Sequence, residues 1–309
     1  MPSLRGIGEG RFGSQNGGMA TAVGKYAGTA TDNGYFKTTP AYFYSFDKDV
    51  IRRGIAVAPY THQGKNGIQI LHNQTALMWG LTKWRVPWIE PTMAGQSTVF
   101  TGIDIPVMRY SDIVLMFAEI ENELHGPSES AKEALASIRK RAFPEGLWPD
   151  KVINYIDSIA ASKESFFNAI VDERAWEFGG EFIRKEDLIR WNLYGAKVKE
   201  WKQDMSDMIN DHPRFSHIPD YVFWKYKDDG ETVEFFNLDK RIHDLSIPGY
   251  NRAPWHMALN DPTWKSNWLD IYIPLVAKGY DETKNNHLYP ISRNHIAASR
   301  GAWSNDQIP

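Results

Sequence analysis

The chain contains no cysteine, which excludes disulfides, thiolate metal sites and cysteine nucleophiles together. It also has little excess charge of either sign. Lys and Arg number 35 against 38 Asp and Glu, a formal net charge of −3. Nucleic-acid binding is thereby disfavoured, because neutralising phosphates calls for an accumulated basic face. No apolar run reaches the roughly 18 residues that would cross a bilayer as a helix. The opening residues Met1 to Gly10 lack the charged and apolar regions of a secretory signal. The sequence reads either as cytoplasmic or as lacking the start of a longer precursor.

Aromatic rings are abundant by contrast, with 12 Trp, 14 Tyr and 15 Phe among 309 residues. A large aromatic core is one explanation, and a surface that stacks flat ligands is the other. The length allows one large domain or two ordinary ones, and the apolar content excludes intrinsic disorder.

Residues 1–108 read as a loop-rich, aromatic layer. Gly17-Gly18, Gly28 and Asn33-Gly34 mark turns, and Pro59, Pro87, Pro91 and Pro106 leave no room for a helix of ordinary length. Residues 109–309 read as a helical region with irregular excursions and a terminal strand. Tyr110, Ile113, Val114, Phe117, Ala118 and Leu124 recur at helical spacing and form one apolar face. Gly126-Pro127 stops that helix and Ser128 caps the next, so the two are expected to pack as an antiparallel hairpin. Ser162 is the expected cap of a third helix, which Gly179-Gly180 ends. In the segment from Glu181 to Leu193, Glu181 pairs with Lys185 and Glu186 with Arg190 by spacing. Tyr221 to Tyr226 and Thr232 to Leu238 flank Asp229-Gly230 as a β-hairpin, and the alternation of Leu269, Ile271, Ile273 and Leu275 predicts an edge strand.

These helices carry three ordered motifs. The first runs from Asp104 through Arg109, Tyr110, Asp112 and Leu115 to Ala118 and Glu119. The second runs from Glu173, Arg174, Trp176, Glu177 and Phe178 through Glu181, Arg184, Asp187 and Leu188 to Arg190 and Trp191. The third is Leu288-Tyr289-Pro290-Ile291-Ser292. Together they resemble the C-terminal portion of the SusD/RagB family of outer-membrane nutrient-binding lipoproteins. That resemblance implies a mainly α fold of tetratricopeptide-like helical hairpins with long irregular loops and small β-hairpins. It also implies a non-catalytic protein at the outer cell surface that captures oligosaccharides or peptides and hands them to a SusC-like TonB-dependent transporter. The family's usual upstream helix pairs and lipid-anchor cysteine do not match anything here. The faces of the helices at 109–142 and 163–193 are therefore expected to call for a partner chain or an N-terminal half.

The motif residues Arg109, Asp112, Glu119, Glu173, Arg174, Glu177, Arg184, Asp187, Arg190 and Trp191 are expected to tie helices together through ion pairs. For ligand contacts, the sequence points to loop aromatics and their polar neighbours: Trp79, Trp84, Trp88, Tyr35 and Tyr42, with Arg85 and Asn73. The resemblance places ligand-bearing loops in the same region. Trp255, Trp264 and Trp268 form a second, lower-ranked aromatic group. Nine histidines show no HExxH pattern, and no metal or cofactor is expected. Two alternatives stay open. One is a glycoside hydrolase using Asp47, Asp49 or Glu90; the other is a structural protein–protein module built on helical hairpins.

Overall fold

A computed structural model describes residues 38–63, 68–71, 79–81, 83, 106–281, 291–302 and 304. It is rich in helix. Two six-residue helices come first, α1 (Pro40–Ser45) and α2 (Ile51–Ala56). Thr39 caps α1 by accepting the Tyr42 N–H, and Pro40 sits in the first turn, where its missing N–H costs nothing. Four short strands follow: β1 (Val57–Ala58), β2 (Tyr60–Gln63), β3 (Ile68–Leu71) and β4 (Gly80–Leu81). They pair antiparallel as β1 with β4 and β2 with β3.

The helical body begins with α3 (Tyr110–His125) and α4 (Glu129–Ala142). Gly126 ends α3 at φ 76°, a conformation that only glycine adopts without strain. Ser128 then caps α4 through the Ala131 N–H at 3.2 Å, so the short joint folds α4 back against α3. A π-helical stretch, Pro149–Asn154, leads into α5 (Tyr155–Ile159). The long helix α6 (Lys163–Glu177) starts with a capping box between Ser162 and Ser165. It is followed by α7 (Arg184–Arg190) and α8 (Tyr194–Ile209).

A three-stranded antiparallel sheet has β5 (Tyr221–Tyr226) between β6 (Val233–Phe235) and β7 (Asn251–Pro254). The β5–β6 turn contains Gly230 at φ 67°, in the hairpin that the sequence predicts. Helices α9 (Met257–Asn260), α10 (Pro262–Asn267), α11 (Ile273–Leu275) and α12 (Arg293–Ala298) complete the described part. Of the third motif, Leu288 to Pro290 lie outside the described residues, and Ser292 caps α12.

Two clusters of buried side chains hold this together. One gathers Leu115, Ala118, Leu135, Ile138, Phe166, Ile170 and Phe178 between α3, α4 and α6. The other joins Phe43, Trp79, Met205, Ile209, Val222 and Trp255, so loop-region and helical residues share one core.

Three local expectations are corrected. First, α3 turns its most apolar stripe outward: Tyr110 is 81% exposed, and Ile113, Phe117, Ile120 and Leu124 are exposed with it. Its inner face carries Ser111, Asp112, Leu115, Ala118 and Asn122, because small and ion-paired residues allow close approach to α4 and α6. Second, residues 268–275 are helical, not a strand. The chain runs from a π-turn, Trp268–Tyr272, into α11, and burial falls on Trp268 and Ile273, whose five-residue spacing suits a π-turn. Third, Glu181 forms ion pairs with Lys83 and Arg109, which lie far from it in sequence.

Candidate functional site

A ladder of carboxylates on and just beyond α6 organises the centre of the molecule. Glu173 and Glu177 are a helical turn apart on one face, and Glu181 continues the line past the helix end. Arg52 bridges the first two, at 2.5 Å to Glu173 and 2.6 Å to Glu177. Arg139 reaches Glu173 at 2.7 Å. Arg109 holds Glu177 at 2.6 Å and Glu181 at 2.8 Å, while Arg141 and Lys83 close on Glu177 and Glu181 respectively. Burial acts to raise the Glu177 carboxyl, but Arg52 and Arg109 outweigh it and hold its pKa at about 2.

A second knot shares Phe178 with the first. Arg174 contacts Asp112 and Asp187 at 2.7 Å each, and its guanidinium, like that of Arg109, lies over the Phe178 ring, at 4.9 and 4.4 Å from the centroid. Arg190 grips Glu119 with two hydrogen bonds of 2.6 and 2.8 Å, and the Trp191 indole donates to the same carboxylate at 2.7 Å. Arg184 behaves differently, donating to the Val171 carbonyl at 2.7 Å. The ion pairs around these motif residues tie α3, α6 and α7 to one another and to α2 and α4.

Beside this spine opens a cleft of about 610 Å³, walled by α1, α6, α7 and α8. Tyr42, Trp176, Phe178, Phe182 and Trp201 supply ring surface. Asp172, Arg184, Lys197 and Glu200 supply charge at the same walls. The Tyr42 hydroxyl donates to the Ala175 carbonyl at 3.0 Å, and burial pushes its pKa well above the usual phenol range. Trp176 and Trp201 donate from their indole nitrogens to Ser45 and Thr39, which fixes both rings to α1. Burial raises the Asp172 carboxyl despite Lys197 nearby.

Phe182 is the most telling residue of the cleft. It has φ 64°, a left-handed conformation costly for a bulky residue by about 1–3 kcal/mol, and it is 46% exposed. Its neighbours impose that geometry: Glu181 is anchored by Arg109, and Arg184 by Val171. An aromatic ring is thus held out at the mouth of an apolar cleft with polar groups around it, the arrangement expected of a small-molecule site.

Gly179 shapes the same wall. A Cβ there would overlap the Tyr42 hydroxyl. Gly179→Ala is expected to destabilise the fold by about 1–3 kcal/mol and to break the Tyr42–Ala175 hydrogen bond. Urea denaturation of the variant checks this; an unchanged midpoint would show that Tyr42 moves at no cost.

Of the loop residues singled out in sequence, Tyr35, Asn73, Trp84, Arg85 and Trp88 lie outside the described residues, as does Glu90. Tyr42 lines the cleft. Trp79 is 4% exposed, with its ring against Phe43 at 5.0 Å and Trp255 at 4.7 Å. Its faces are occupied by core packing, so it offers no platform to a ligand. Trp255 and Trp268 are likewise buried. Asp47 and Asp49 both face Lys151, at 2.8 and 3.4 Å. Burial opposes ionisation of Asp47, yet the Lys151 hydrogen bond prevails and keeps its carboxyl below the usual range, the reverse of what a general acid needs. Trp176, Phe182 and Trp201 were missed because rings within or beside helices read as core; only the mixed neighbourhood of Asp172 and Lys197 marks them.

Among the described residues, Asp211, Asp220 and His256 bring possible ligand atoms within 4.8 Å of one another. Arg241 sits in their midst, 2.8 Å from Asp211 and 3.4 Å from Asp220, and supplies the positive charge there. His256 is buried, its Nε2 lies 2.6 Å from the Met208 carbonyl, and burial lowers its pKa.

Comparison with known proteins gives three results. Residues 25–307 match the sequence model described as the SusD family. An 88-residue stretch is 41% identical to the SusD-like protein P25 of Formosa agariphila, covering 28% of this chain and 15% of that protein. A crystal structure of a SusD homolog from Bacteroides thetaiotaomicron aligns over 66% of this chain and 42% of its own, at 23% identity and a TM-score of 0.46. The matched stretches cover less than half of either relative, 15% of the first and 42% of the second.

Proposed function

The chain belongs to the SusD family, and from that premise we propose that it captures glycans for uptake in the cleft between α1, α6, α7 and α8. The carrying observation is the strained, exposed Phe182 beside Tyr42, Trp176 and Trp201, with Asp172, Arg184 and Lys197 within the same 610 Å³. Ring faces match the C–H side of pyranoses, and the charged groups match their hydroxyls. The mechanism is reversible binding: the captured oligosaccharide stabilises one arrangement of capture protein and transporter over another, and the difference in affinity drives handover. The partner in this reading is a SusC-like TonB-dependent transporter at the outer membrane. Among the described residues, no helix is long and apolar enough to cross a membrane, which fits a chain that works on a membrane surface.

Phe182→Ala is the decisive variant, since the ring is 46% exposed and belongs to neither buried cluster. Oligosaccharide affinity measured by calorimetry is expected to fall five- to tenfold, equivalent to roughly 1–1.4 kcal/mol. Unchanged affinity in both Phe182→Ala and Trp201→Phe, for an oligosaccharide that the wild type binds, would place the site elsewhere. The transporter step is tested by co-purification from the source membrane; recovery of the chain with no barrel partner would sink it.

A further inference from the structure

The carboxylate ladder does not balance its cations. Glu173, Glu177 and Glu181 are shared among Arg52, Lys83, Arg109, Arg139 and Arg141, which leaves two positive charges over. Lys83 and Arg109 also donate to the Glu177 carbonyl, at 2.6 and 2.8 Å. That carbonyl belongs to the C-terminus of α6, whose dipole offsets about half a charge. Among the described residues more than one unit of positive charge remains without a carboxylate, on side chains that include Arg52 at 14% exposed and Arg141 at 58%.

The surplus is gathered around an opening. A cavity of about 210 Å³ is lined by Arg52, Lys83, Arg109 and Arg141, with Glu177 as the acidic member of the wall and Trp176 as a ring. The Arg52 Nε–H is buried without a hydrogen-bond partner among the described residues. Burial lowers the Lys83 pKa despite Glu181, as expected of a cation short of counter-charge. Trp176 also lines the glycan cleft, so the two spaces share a wall.

We infer that this cavity binds an oxyanion, the carboxylate or sulfate group of an anionic sugar, held by Arg52, Lys83, Arg109 and Arg141. The inference rests on the capture reading and narrows it to acidic glycans. Guanidinium groups present paired donors that match carboxylate and sulfate oxygens, and the cavity has room for one such group, not for a chain of sugars. Trp176 gives the attached ring an apolar wall.

The test uses the whole chain and four probes at matched ionic strength: sodium sulfate, glucuronate, glucose and a neutral oligosaccharide that binds the cleft. Calorimetry is expected to show saturable binding of sulfate, glucuronate or both, and none of glucose at the same concentration. Sulfate alone identifies a free-anion site; glucuronate identifies a sugar acid. Arg141→Gln, at a side chain 58% exposed, is expected to weaken the anion at least fivefold while the neutral oligosaccharide still binds. The Trp176 indole N–H resonance gives a second readout, shifting on anion addition in the wild type. Absence of anion binding, or equal affinity in Arg141→Gln, with neutral oligosaccharide bound, would overturn the inference and leave the capture reading standing. Anion binding without any neutral oligosaccharide bound would do the reverse.

Discussion

Arg174→Ala is expected to cost about 3–5 kcal/mol of folding stability, the range for removing one partner of a buried ion pair. Arg174 is 2% exposed and touches both Asp112 and Asp187. Those two carboxylates are themselves buried, one on α3 and the other on α7, so a single guanidinium joins three helices. Deleting it strands Asp112 in a dry interior, leaves Asp187 with Arg190 alone at 2.9 Å, and also strips a flat group from the Phe178 ring. Arg174→Lys keeps the charge but loses the fork that serves two acids at once, so it is expected to fall between wild type and alanine. Guanidinium denaturation of the three proteins decides the matter. A loss under about 1 kcal/mol in the alanine variant would show that Asp112 and Asp187 find other partners or take up protons.

The second large effect is an acid sensitivity centred on Glu177. Its pKa is about 2 in the folded chain against an ordinary 4.5, so the native state binds fewer protons than the unfolded chain between those values. The stability it contributes is complete above about pH 4.5 and is lost as pH falls towards 2. A shift of this size corresponds to about 3 kcal/mol. Glu119, Asp47 and Asp211 are also held below their ordinary values, so the wild-type slope sums several groups. Comparison with Glu177→Gln isolates the one in question. That variant is expected to be less stable at pH 7, because Arg52, Arg109 and Arg141 lose their shared acid, and to lose less on going to pH 2.5. Parallel stability curves for the two proteins would show that Glu177 carries no such linkage.

Family membership and the placement of α3, α4 and α6 were legible in the sequence for a shared reason: both rest on short-range patterns. Arg109-Tyr110 to Glu119 and Glu173 to Trp191 are contiguous motifs, and the charges that later meet across space are already present in them. The ligand region was less legible. The sequence placed ligand rings in loops, yet Trp79 is packed between Phe43 and Trp255, while Phe182, a ring of the proposed site, follows a helix end at a positive φ that no residue pattern announces.

By itself the sequence determined what depends on neighbours within a turn or two. Ser128 and Ser162 start helices, Gly126 ends one, and Asp229-Gly230 turns a hairpin, because each acts through hydrogen bonds or backbone dihedrals that span only a few residues. The tertiary structure decided the pairing of charges and the fate of apolar faces. Glu181 takes Arg109, 72 residues away; Arg52 finds Glu173 across 121 residues. The α3 stripe of Tyr110, Ile113 and Phe117 fits either side of a helix, and packing of Ser111, Asp112 and Ala118 against α4 and α6 turned it outward. Ion pairing and burial reward proximity in space, and proximity between distant segments is set only when the whole chain has packed.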